Sequence, residues 1–280
     1  MARILDTIPA FEAYARKSGL ESPLRREMLW VELYESSEPE AFAAFNTAHG
    51  STGGRQAVVK ELGRVRERVK VAAPQMRRIV EEVDAGLPAL LGVAAEPAPL
   101  HVLMVGHFTT NAAGAPMGDD LAVFHCLEWF QTPETARILT AHEGTHGWHQ
   151  IALGAPPPAD DLAWAAFAEG VALAASRQAV PGQPDVDYFW YGHPEVDDWL
   201  PWCAENRVEL LRHFRVSLDI PEATETFFGG GLVDGKWRVG FYVADELVTA
   251  LGRTLPELVA MSVDEGRAAV VEALDRALDG

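Results

Sequence analysis

Cysteine is nearly absent. Cys126 and Cys203 are the only two in 280 residues, and no CxxC occurs, which excludes a disulfide framework and a cysteine-rich zinc module. Long apolar runs are missing too. No stretch approaches the ~18 uncharged apolar residues of a membrane helix. Glu12, Arg16 and Lys17 interrupt the apolar residues of the first twenty, so no signal-peptide core is expected there. Positive charge is scarce: the net charge is −18, and residues 101–280 carry 10 basic against 27 acidic side chains. Such a surface repels phosphate backbones, so nucleic acid is not an expected partner. A soluble, cytoplasmic protein without membrane attachment is expected. Its oligomeric state is not legible.

Two further absences narrow the chemistry. The glycine-rich GSTGG at 50–54 lacks the GK[ST] ending of a phosphate-binding loop and is expected to be a connector. No GxSxG surrounds any serine, so an α/β-hydrolase elbow is not indicated. The one basic stretch, Arg55 to Arg78, is expected to be a solvated helix face.

What is present is globular. With 48% hydrophobic and 23% charged residues, the chain can bury a substantial core. Apolar positions three and four apart predict helices over 8–20, 24–34, 38–48, 56–71 and 74–83. After Pro97 and Pro99, residues 101–106 read as a strand. Residues 121–130 read as a second, preceded by the turn-rich NAAGAPMGDD. Thr132-Pro133 starts a helix to Leu153, with Thr as N-cap and Pro at the first position. Asp160 or Asp161 caps the next, to about Val180, and helices are expected over 195–216, 236–251, 255–261 and 264–278. The fold class expected is α+β and predominantly helical. An N-terminal helical region, 1–95, and a catalytic region, 96–280, are expected, though one continuous domain fits as well.

The informative stretch is His142-Glu143-Gly144-Thr145-His146, an HExxH motif. Two histidines four positions apart share one helical face, where their imidazoles can converge on a single ion. Zn2+ prefers such ligands, and the Glu beside the first His can act as base toward a water on the metal. From this chain's own composition, chance would produce roughly 0.03 such matches. A third ligand is needed. Position 152, where a metzincin carries His, is Ala152. His149 lies about 10.5 Å along the axis from His142, too far to share its ion, so a supporting or structural role is expected of it. Glu169 is the best candidate. It is the only charge in the apolar run 162–175, where a lone carboxylate wants a cation. Ala168, Gly170 and Ala172 would let two helices approach closely around it.

HExxH followed at this distance by Glu169-Gly-Val-Ala172 resembles the gluzincin branch of the zincin metallopeptidases. It is similar to bacterial families described only as predicted Zn-dependent proteases, whose second motif reads approximately W-x-x-E-G-x-A. Residues 238–248 also resemble the helix those families place after the metal site, so the matching segments span about 100–252. There are departures: Leu173 stands where thermolysin-type enzymes carry an Asp, and Phe167 replaces the usual Trp. The resemblance implies a zincin-like fold, with a small sheet above the HExxH helix and an edge strand at 121–130 that aligns an extended peptide.

The expected function is therefore peptide-bond hydrolysis. Zn2+ would be held by His142, His146 and Glu169, with Glu143 as general base. Tyr242 is the candidate for the extra oxyanion donor, since zincins commonly take a Tyr or His from the C-terminal half; Tyr191, His193 and His213 compete. The alternative is a metal-binding or protein-interaction module on an inactive scaffold, with the aromatic stretch Tyr188–Tyr191, Trp199 and Trp202 filling or lining the cleft, although core packing is the default for such a cluster. Di-iron carboxylate bundles need a second ExxH, which is missing. Cys126 lacks the EGCLS-type setting of a deformylase ligand.

Overall fold

The computed structural model describes every residue except Met1, Ala159, Glu195, Asp197 and Gly280. The chain is α+β and mostly helical. It is organised in two units, one comprising Met1–Gly86 and Glu96–Gly147, the other Leu87–Ala95 and Trp148–Gly280.

The first unit is built on a four-stranded sheet. Arg3–Asp6 (β1), a strand not expected from the sequence, pairs in parallel with Leu100–Met104 (β2), which pairs in parallel with Asp120–Cys126 (β4). Ala112–Met117 (β3) lies antiparallel on β4, giving the order β1-β2-β4-β3. Two expectations are corrected here. The segment 121–130 is not an edge: β4 is an inner strand, and Leu127–Trp129 leave it as a 3-10 turn. The outer strand is β3, formed by residues read as a turn; its Pro116 is tolerated there because an edge strand need not donate on both sides. Phe124 faces Phe45, and Val123 faces Gly147. Cover on both faces explains why β2 and β4 read as almost unbroken apolar runs.

Helices Ile8–Ser18 (α1), Pro23–Leu29 (α2), Pro39–His49 (α3), Thr52–Lys60 (α4) and Leu62–Leu91 (α5) also belong to this unit, apart from the last residues of α5, which belong to the second. Phe11, Tyr14, Trp30, Tyr34 and Phe45 are fully buried, several in edge-to-face pairs, each worth roughly 0.5–1.5 kcal/mol beyond burial. Tyr34 ties this aromatic nucleus to the sheet, its hydroxyl accepting from Val105 N at 2.7 Å. The basic stretch is less solvated than expected. Arg55 reaches Glu35, Arg66 reaches Glu12, Arg77 reaches Asp6 and Arg68 donates to the Glu128 carbonyl.

Pro133–Leu153 (α6) continues into the second unit from Trp148. There follow Leu162–Ala179 (α7), Asp185–Trp190 (α8), Trp199–Glu205 (α9), Arg207–Ser217 (α10) and Ala223–Phe228 (α11). The helix expected over 195–216 is thus two helices, and its first residue, Glu195, lies outside the described residues. A two-strand hairpin, Leu232–Val233 (β5) and Lys236–Trp237 (β6), replaces the start of the helix expected at 236. Val239–Ala250 (α12), Leu255–Val259 (α13) and Val263–Asp279 (α14) end the chain. Close packing of α7 on α12 depends on Gly170: a Cβ there would lie 2.4 Å from Val248 Cγ2 and 2.5 Å from the Ala244 carbonyl oxygen. No helix among the described residues is long and apolar enough to cross a membrane.

One buried carboxyl has a readable consequence. Glu128 is 1% exposed and accepts hydrogen bonds from Gly106 N at 2.9 Å and Phe108 N at 3.2 Å. Burial pushes its pKa up to about 7, against those backbone donors. The folded protein thus keeps a proton that the unfolded chain has released above about 4.5. The resulting stabilisation is complete below that value and is lost as pH rises through about 7. Glu128→Gln cannot ionise, so its urea-unfolding stability relative to wild type should improve by roughly 2 kcal/mol between pH 5 and pH 8; a difference independent of pH would refute the shift.

Candidate metal centre

The helix carrying the motif starts as its sequence dictates. Thr135 N donates to Thr132 Oγ1 and Ala136 N to the Thr132 carbonyl, with Pro133 at the first helical position. Most of α6 is buried, and its hydroxyls turn back on their own helix: Thr140 Oγ1 donates to Ala136 O and Thr145 Oγ1 to Ala141 O. His142 is buried and His146 half-buried. Their Nε2 atoms stand 3.2 Å apart, with ring planes crossed at 76°.

Glu169 sits on α7. Asp161, one of the two expected caps, starts that helix by accepting from Trp164 N at 2.8 Å. Trp164 and Phe167 lie against His149, ring centroids 5.5 and 6.1 Å away. His149 is thus packed among aromatics and is not one of the converging groups. The convergent set is His142, His146 and Glu169, whose ligand atoms all lie within 4.8 Å of one another.

The donor set suits a divalent cation. Two nitrogens each about 2.05 Å from one tetrahedral ion would stand about 3.3 Å apart, and the observed separation is 3.2 Å. Two imidazoles and one carboxylate also leave one of four positions open, as a reactive zinc site requires. The set could hold a metal ion, and the geometry does not choose among metals.

Glu143 is half-buried, next to His142 on α6, and its charge adds to burial and Glu128 in holding the Cys126 thiol protonated. Tyr242 is buried on α12, its pKa pushed up to about 12 by burial and then by Glu246. Whereas α12 turns Ala244 and Val248 toward Gly170, Tyr242 is about 200° around the helix from Ala244, on the side of Cys203, Arg207 and Glu246. Tyr191 is buried with φ +52, His193 is exposed with Nδ1 2.7 Å from Pro194 O, and exposed His213 packs on Phe227.

Sequence reasoning missed a buried polar chain. His101 Nε2 lies 3.2 Å from Asp84 Oδ1, and His101 Nδ1 lies 3.0 Å from His125 Nε2, all three groups being buried. Burial holds the His125 pKa well below the ordinary value, His101 adding to the effect. The contacts use opposite nitrogens of His101, so these residues do not converge on one ion. The signal was present: Asp84 interrupts the buried stripe Val80, Val83, Leu87 of α5.

No family model, curated protein or solved structure matches this chain. After dialysis against zinc and removal of excess, mass spectrometry should find one zinc per chain in the wild type and well under half in Glu169→Ala and His142→Ala. Undiminished zinc in Glu169→Ala would transfer the third ligand elsewhere.

Proposed function

We propose that this protein is a zinc-dependent peptidase of the zincin type. The observation that carries this reading is the convergence of His142, His146 and Glu169 with Glu143 beside the first of them. A bound divalent ion supplies Lewis acidity, making a water more nucleophilic and a scissile carbonyl more electrophilic.

The chain's own residues supply the rest. Glu143 removes a proton from the attacking water as its oxygen adds to the carbonyl carbon. The same carboxyl then gives that proton to the amine as the C–N bond breaks, leaving a carboxylic acid and a free amine. His142 and His146 orient through the rigid helix between Thr132 and Leu153. Glu169 is fixed by the packing of Gly170 on α12. The acidity of residues 101–280 favours a peptide over a nucleic acid as ligand. Two unpaired cysteines fit a cytoplasmic setting.

A mixed peptide library incubated with zinc-loaded protein and read by mass spectrometry tests this. Wild type should cleave, and Glu143→Gln should retain zinc but lose roughly 10²–10⁴-fold in rate. Equal rates would remove Glu143 from the chemistry. A wild type that holds zinc and cleaves nothing would replace the peptidase by a metal-binding module.

A further inference from the structure

The second unit contains an arginine whose surroundings differ from those of its neighbours. Arg177 pairs with Asp245, Arg207 with Glu246, and Lys236 with Asp198. Arg238 has no carboxylate within ion-pair distance among the described residues. It stands between β6 and α12 with φ +58, its guanidinium carbon 4.2 Å from the centre of the Phe241 ring, 5.3 Å from that of Trp190 and 5.9 Å from that of Tyr191. Its one hydrogen bond is long, from Nη2 to the Phe189 carbonyl at 3.4 Å. Arg238 Nε is buried without a hydrogen-bond partner, and so is Trp190 Nε1 in the same cluster.

Two buried, unanswered N–H donors in one cluster are costly, and both call for an acceptor. A guanidinium fork flanked by aromatic rings matches a planar, bidentate oxyanion, which is a carboxylate. The rings hold the fork by cation–π attraction and exclude competing water. Placement indicates what carries the carboxylate. Arg238 precedes Ala244 by six residues, about 9 Å of helix, and Ala244 packs against Gly170, the neighbour of Glu169. An extended peptide advances about 3.3 Å per residue, so about three of its residues would span that axial rise.

We propose that Arg238 and Trp190 form a receptor for a carboxylate of the peptide ligand. The peptide assignment rests on the peptidase reading; carboxylate capture does not. The test therefore uses zinc-free protein, which cannot hydrolyse the probe. The indole N–H signal of Trp190, assigned with Trp190→Phe, is followed by 1H–15N NMR. The probes are acetyl-Gly-Gly-Phe with a free C-terminus, the same tripeptide as its C-terminal amide, and acetate ion.

The free acid should shift the Trp190 signal saturably and bind at least 10-fold more tightly than the amide. That preference should vanish in Arg238→Gln and weaken in Arg238→Lys. The acid–amide comparison needs no variant, so a variant that fails to fold leaves it intact. Equal binding of acid and amide, or an unmoved Trp190 signal, would overturn the receptor. Acetate binding as tightly as the tripeptide acid would overturn the peptide assignment.

Discussion

Two imidazole nitrogens 3.2 Å apart on one buried helix face impose the central constraint. Their lone pairs cannot face each other at that distance without a proton or a cation between them. A cation in that place would also draw a carboxylate toward it. Glu169 does converge, with ligand atoms of all three residues inside 4.8 Å. Negative charge brought to two lone pairs makes chemical sense around a positive ion.

The packing serves that convergence through small residues. Gly147 allows α6 to settle on Val123 and Pro99, where a Cβ would lie within 3.1–3.4 Å of their side chains. Gly170 lets α7 meet α12, and Gly266 lets α14 meet Phe167, where a Cβ would lie 2.8 Å from the ring. Helices seated this closely have little freedom to slide. Such rigidity matters because metal ligands must be held to within tenths of an ångström. The aromatic face formed by His149, Trp164 and Phe167 fixes the register in which α7 runs beside the end of α6.

The convergence of His142, His146 and Glu169 was legible in the sequence, because the HExxH spacing is a local pattern. HExxH needs only the 3.6-residue period, and Glu169 declared itself as a charge in an apolar helix. The coarse class and both caps, Thr132 and Asp161, followed from equally local rules. Non-local features were harder. β1 is four residues long and is a strand because it pairs with β2. β3, rich in Ala, Gly and Pro, is a strand because β4 lies beside it. The expected break at Pro74 does not occur, and α5 runs from Leu62 to Leu91. The buried stripe Val69, Ala72, Met76, Ile79 and Val80 outweighs a proline penalty of about 3 kcal/mol. GSTGG is only partly a connector, since Ser51 caps α4 and Gly54 abuts the His107 carbonyl so closely that no side chain would fit. Tyr242 stands in the expected helix, on the face turned toward Arg207 and Glu246.

X-ray absorption at the zinc edge of zinc-loaded protein tests the central claim most directly. The account predicts a four-coordinate ion with imidazole scattering from two nitrogens at about 2.0–2.1 Å and oxygen in the remaining positions. Sulfur in the first shell, or an all-oxygen shell without imidazole scattering, would contradict it.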